Sequence, residues 1–226
     1  MFDDPLPSEG KCLFCNERFS RKEIGKHLGK HLAGMEKTDS VIETNVYYHI
    51  VVESVEMFLH LLVKEDVKLK RIDKFLRDIW LECCGHLSEF GVNKSKIPMN
   101  QYVGNVFEPK IKIYHNYDFG STTRVYLKCI KVFSLNLKDK LILLSRNEPL
   151  KFMCAVCKIK PAVNMCTYCN MDKYSFFCQD CSEKHSENCQ KYDYGYSPVV
   201  NSPRMGECGY MGGSIDLERD GYYKEN

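Results

Sequence analysis

From Cys154 onward the chain runs Cys154-x2-Cys157, eight residues, Cys166-x2-Cys169, eight residues, then Cys178-x2-Cys181-x3-His185-x3-Cys189. Eight thiol and imidazole donors in 36 residues are enough for two tetrahedral zinc ions, because a Cys-x2-Cys turn brings two thiolates to one metal. Two pairings are open. In a cross-brace, Cys154, Cys157, Cys178 and Cys181 hold one ion, and Cys166, Cys169, His185 and Cys189 hold the other. In a sequential arrangement, the first four cysteines share one ion and the last four donors share the second. Either way every coordination position is filled by protein, and such a closed site is structural, since catalytic zinc keeps a position for water.

A second donor set lies near the start, at Cys12-x2-Cys15-x11-His27-x3-His31. Phe19 and Ile24 stand at the spacing of a small finger core, and Ser20 with Glu23 form a capping-box pattern for the helix that carries the histidines. This set resembles a C2H2 zinc finger, with a Cys-to-His gap of 11 that demands a tight entry into the helix. In such fingers the base-reading positions are counted from the helix start, and here they fall on Ser20, Glu23 and Lys26. Arg18, Arg21, Lys22, Lys26 and Lys30 are candidate contacts to nucleic acid. Together with Lys11 they outweigh Glu17 and Glu23 by four charges (six minus two). The simpler reading is a solvated basic face on a folding module. Gly25 and Gly29, four apart, place a small-residue face where another element can approach. The late Cys-x2-Cys-x3-His-x3-Cys run is similar to cross-braced fingers of the HIT, MYND and B-box kind. With the first set this makes twelve ligands and an expected three Zn2+ per chain.

The elements between the two metal modules read as α+β, a small mixed core of strands on one long helix. Asn45–Glu53 and Glu56–Lys64 are strand-like, rich in Val, Ile, Leu and aromatic residues. Asp66 to Cys84 is amphipathic at helical spacing through Leu69, Ile72, Leu76 and Ile79, and Gly85 stops it. Its basic residues alternate with Asp73, Asp78 and Glu82, the pattern of a solvated face. Lys110–Tyr117 and Thr123–Phe133 form a hairpin around Gly120, and Leu141–Ser145 is a short apolar strand. Residues 72–90 and the Tyr117-Asp118-Phe119-Gly120 turn resemble the plasmid ORF-3-like family, which includes insertion-element passenger proteins labelled TnpR. The likeness spans about residues 45–150 and implies a compact α+β fold, a link to mobile elements and no established chemistry. Ser121-Thr122-Thr123 follows the turn where the family has an acid and a tryptophan.

The expected organisation is a finger over 1–36, an α+β domain over 45–150, a double-zinc module over 151–190 and a Gly/Tyr-rich tail over 191–226. Residues 35–44 read as a polar linker and the first ten as loose. Cys83, Cys84 and His86 read as small packed residues rather than a third metal site, since adjacent cysteines at a helix end converge poorly on one ion. Cys208 reads as a packed or free thiol, with replacement of Cys189 as the alternative. The net charge of +2 identifies no partner. No apolar run reaches the about 20 residues of a membrane span, and a cytoplasmic location is expected from the lack of a signal sequence and the 13 cysteines. The expected function is a zinc-binding, non-enzymatic adaptor that contacts nucleic acid. The alternatives are a protein-interaction scaffold and an enzyme with a core pocket using His86, Asp118 and His115. No phosphate-binding loop, nucleophile elbow or His-Glu-x-x-His motif supports an enzyme.

Overall fold

The computed structural model describes residues 7–39, 44–169 and 176–214. The chain divides into two compact units, one of residues 1–76 with 86–148 and the other of residues 77–85 with 149–226.

The first unit is built on a seven-stranded antiparallel sheet in the order β6-β5-β7-β8-β3-β4-β9. Its strands are β3 (Asn45–Ser54), β4 (Met57–Lys64), β5 (Ser88–Val92), β6 (Ser95–Ile97), β7 (Lys112–Tyr117), β8 (Thr123–Leu135) and β9 (Leu141–Arg146). β3 and β4 form a hairpin with Tyr47 opposite Lys64 and Ser54 opposite Met57. β7 and β8 close the expected hairpin at Asp118, whose carboxylate accepts the Gly120 N–H at 2.9 Å and whose φ is +64°. The β5–β6 hairpin escapes the alternation rule because Gly91 lies in its middle. Tyr114 covers that glycine so closely that a Cβ would collide with the ring.

A short hairpin of β1 (Glu9–Lys11) and β2 (Arg18–Ser20) leads directly into α1 (Arg21–Asp39). Residues 35–39, read as linker, continue this helix, and residues 40–43 lie outside the described residues, as does most of the segment expected to be loose. Ile24, Leu28 and Leu32, at spacing four, turn one face of α1 inward. They pack with Tyr47, Phe58, Leu62, Phe133, Leu135 and Leu144 of the sheet, and Cys12 belongs to the same buried cluster. The finger and the sheet therefore share one core.

The expected long helix over 66–84 is not continuous. α2 (Leu69–Leu76) gives way to a π-helical turn at Arg77–Leu81. Leu69, Ile72, Leu76 and Ile79 are buried as the periodicity requires. In the second unit, the wider turn presents its carbonyls to the tail, where Ser202 donates to Trp80 O at 2.6 Å and Ser214 to Asp78 O at 3.2 Å. Those extra acceptors are a physical reason for the wider winding. α3 (Val103–Val106) completes the helices of the first unit.

The second unit also holds a three-stranded sheet in the order β11-β10-β12, from β10 (Asn164–Cys166), β11 (Phe176–Phe177) and β12 (Tyr196–Pro198). α4 (Gln179–Asn188) and α5 (Tyr192–Gly195) accompany it. Among the described residues, no helix is long and apolar enough to cross a membrane.

Candidate metal centres

Among the described residues, four groups of Cys and His bring their donor atoms within 4.8 Å of one another, and none of the 13 cysteines forms a disulfide. A tetrahedral zinc with Zn–S bonds of about 2.3 Å requires donor separations of about 3.8 Å between sulfurs, and somewhat less where nitrogen replaces sulfur.

In the first group, Cys12 and Cys15 sit on the turn between β1 and β2, and His27 and His31 sit one helical turn apart on α1. The Phe14 N–H points at Cys12 Sγ at 3.4 Å, and Asn16 at φ +63° folds the turn. Cys15 Sγ lies 3.3 Å from His27 Nε2, which lies 3.1 Å from His31 Nε2. Phe19 stacks on His27 at 3.8 Å between ring centres. Partial burial, then the neighbouring His31, hold His27 below its ordinary pKa, which favours the neutral ligand form. The missing residue in the Cys-to-His gap is absorbed by running β2 straight into α1. Ser20, the expected cap, donates to the Glu23 carboxylate at 2.6 Å.

The next two groups are cross-braced. Cys154, Cys157, Cys178 and Cys181 form one, and Cys166, Cys169, His185 and Cys189 the other. Cys157 Sγ is 3.8 Å from Cys178 Sγ, and Cys169 Sγ is 3.9 Å from Cys189 Sγ. α4 serves both centres, with Cys178 and Cys181 at its N-terminal end and His185 and Cys189 at its C-terminal end. His185 is stacked on Phe177 at 4.4 Å, and its Nε2 is buried with no hydrogen-bond partner among the described residues. A desolvated nitrogen among three sulfurs is costly unless it binds something, and a metal is the partner that this donor set fits. Burial raises the Cys154 thiol, yet N–H donors from Cys178, Cys157 and Val156 bring it down to about 6. Burial and neighbouring thiols push Cys169 and Cys181 up to about 12. Crowded thiols cannot all ionise beside one another without a cation, and a divalent ion reverses that order.

The sequence reading set Cys83, Cys84 and His86 aside as packed residues and left Cys208 as a packed or free thiol, yet the three cysteines converge in the second unit. Cys83 Sγ is 3.7 Å from Cys84 Sγ, which is 3.6 Å from Cys208 Sγ. The objection to adjacent cysteines presumed a helix. The backbone leaves the π-helical turn before Cys83 and bends, so both side chains reach one side. Cys208 keeps clear of Cys189, which belongs to a complete tetrad.

Of the candidate nucleic-acid residues, Arg18, Lys22, Lys26 and Lys30 are exposed. Arg21 is engaged within the unit, bonded to Glu53 at 3.0 Å and to the Val55 carbonyl at 2.5 Å. Gly25 sits close to the sheet, where a Cβ would lie 3.1 Å from His60 and 3.4 Å from Ile130, while nothing lies within 4 Å of a Cβ on Gly29. The residues weighed for catalysis do not form one constellation. His115 is fully buried with its Nε2 2.7 Å from Asp73, which also accepts from Ser88 at 2.6 Å. His86 lies 3.6 Å from Asp118. An open cleft of about 770 Å³ in the first unit is lined by residues including Glu65, Lys68, Arg71 and Lys140, and by none of those three.

No family model and no curated protein matches the chain. Among solved structures, a protein of unknown function, MM3350 from Methanosarcina mazei Go1, is similar at 13% identity and a TM-score of 0.37, over 46% of this chain and 68% of that one.

Proposed function

We propose that this chain is a zinc-stabilised, non-enzymatic adaptor whose first unit contacts the phosphate backbone of a nucleic acid. Zinc is the metal that best suits donor sets of thiolates and imidazoles at tetrahedral spacing. Tetrads filled by protein leave no place for an activated water, so their role is to hold structure.

The observation that carries the nucleic-acid reading is on β7 and β8. Lys112 and Lys128 stand directly opposite each other, with Arg124 further along, and all three are exposed. Like charges directly opposed across a strand pair are destabilising, and a polyanion would relieve them. Tyr114 and Tyr126 are opposed in the same ladder. Lys112 Nζ lies 3.8 Å from the Tyr126 ring centre, and Arg124 lies 5.0 Å from that of Tyr114. Cations interleaved with aromatic faces suit a phosphate chain and its bases. The nearby acids Glu53 and Glu89 are paired with Arg21 and Lys96. On α1, Lys22, Lys26 and Lys30 add a solvent-facing row at spacing four. Because α1 is packed along the sheet, this row favours contact with phosphates over deep entry into a groove. The likeness of residues 45–150 to plasmid ORF-3-like proteins, and with it a mobile-element setting, stands as part of this proposal.

Fluorescence anisotropy with labelled duplex and single-stranded oligonucleotides, across a salt series, tests it. Lys112→Ala with Lys128→Ala should lower affinity evenly across sequences and flatten the log–log salt slope by roughly 1.5–2. Lys22→Ala with Lys26→Ala should act in the same direction. A parent protein that binds neither nucleic acid at low salt refutes the reading.

A protein partner for the second unit is favoured by a different observation. Val156 and Ile159, on the first knuckle of the cross-brace, are 61% and 81% exposed, and Val163 is 43% exposed. Pull-down with and without nuclease separates the two kinds of contact.

A further inference from the structure

The geometry points to a further metal site within the second unit, in which Cys83, Cys84 and Cys208 supply three thiolates to a thiophilic divalent cation of the zinc type.

The sulfur separations of 3.7 and 3.6 Å are those of a tetrahedral edge, and they match the 3.8 and 3.9 Å in the cross-braced module. The tail places Cys208 deliberately. Ser202 anchors it through a buried bond to Trp80 O, and Arg204 N donates to Ser202 Oγ at 2.9 Å. Cys208 then adopts φ +49°, a backbone conformation that a cysteine adopts at a cost, between Gly206 at φ +84° and Gly209 at φ +63°. The wholly buried Arg204 brings a guanidinium nitrogen to 3.6 Å from Cys83 Sγ and fixes that side chain in place. A redox pair needs two sulfurs, whereas this group offers a third thiol. Three soft donors select zinc over calcium or magnesium. Two of the sulfurs are exposed, those of Cys84 and Cys208. Exposure makes this ion the first to be removed by a chelator, ahead of those in the more enclosed tetrads.

Native mass spectrometry of the zinc-loaded full chain counts the ions directly. Four are expected in the parent, and three in Cys84→Ser and in Cys208→Ser, with hydrogen exchange over residues 154–189 unchanged. A measurement on the parent alone guards against a variant that simply fails to fold. Iodoacetamide should label Cys84 and Cys208 slowly in the loaded protein, despite their exposure, and promptly after brief chelation. Three ions in the parent, prompt labelling of both cysteines in the loaded protein, or a Cys84–Cys208 disulfide there would overturn the assignment.

Discussion

Two histidines buried side by side in the sheet make the first unit sensitive to mild acid. His49 of β3 and His60 of β4 are 0% and 3% exposed, and their rings meet at 3.0 Å between His49 Nε2 and His60 Nδ1. Burial lowers His49 from 6.5 to about 4, and burial with the neighbouring His49 lowers His60 to about 3. Well above pH 6.5 both are neutral in the folded and unfolded chain and contribute nothing to pH dependence. Below it the unfolded chain takes up protons that the native sheet refuses, so stability falls as the pH drops towards the folded values. At pH 5 the loss is about 2 kcal/mol per histidine, or about 4 kcal/mol as an upper bound for the coupled pair. That is a large part of a typical stability of about 5–15 kcal/mol. Urea unfolding at pH 7 and pH 5, with constant salt and zinc, should show the midpoint fall by about 1–3 M for a slope of 1–3 kcal/mol per M. Acid also weakens thiolate ligation, so the decisive quantity is the difference from a His49→Leu/His60→Leu variant. That variant should lose clearly less stability between the two pH values. Equal losses in parent and variant would refute the assignment to this pair.

Further expectations concern the helix, the metal module and the tail. Gly29→Ala should raise thermal stability by about 0.5–1 kcal/mol, since the helix gains propensity and open space surrounds a Cβ there. Gly25→Ala should lose that gain against His60 and Ile130, so the two variants should differ in melting temperature. Cys166→Ser should loosen residues 151–190, because structural zinc supplies about 10–16 kcal/mol in model peptides, while the Gly120 hairpin keeps its hydrogen-exchange protection. Gly213→Ala should weaken the hold of the tail on the π-helical turn, as a Cβ there meets the Ile79 carbonyl. Faster exchange of residues 200–210 would report it.

What the sequence revealed depended on whether the cause was local. β3, β4, β7 and β8 were legible because β-branched and aromatic residues fill them, and the three regular Cys/His sets because their donors come in short contiguous pairs, Cys-x2-Cys, His-x3-His or His-x3-Cys. The π-helical turn was hidden, since Ile72, Leu76 and Ile79 keep helical spacing while the cause of the widening, Ser202 and Ser214, lies far along the chain. Cys208 was hidden for the same reason, standing 124 residues from Cys84. The end of α1 was misplaced because its polar sequence past Ala33 carries no apolar stripe, and β5 because Gly91 needs Tyr114 to explain it.

The core that Cys12, Ile24, Leu28 and Leu32 share with Phe58, Phe133 and Leu144 makes ligation and folding one equilibrium. A free-standing finger must order its hairpin and helix when it captures its ion. Here the sheet holds α1 against β8, and the Leu13 N–H is bonded to Leu144 O at 3.0 Å. A metal ion bound there would meet donors placed by the sheet and would bind tighter than to residues 7–39 alone. By reciprocity the bound ion stabilises strands it never touches, by RT ln(1 + [Zn]/Kd). Metal availability would then set the stability of the sheet that carries Lys112 and Lys128, and with it the surface proposed to meet nucleic acid.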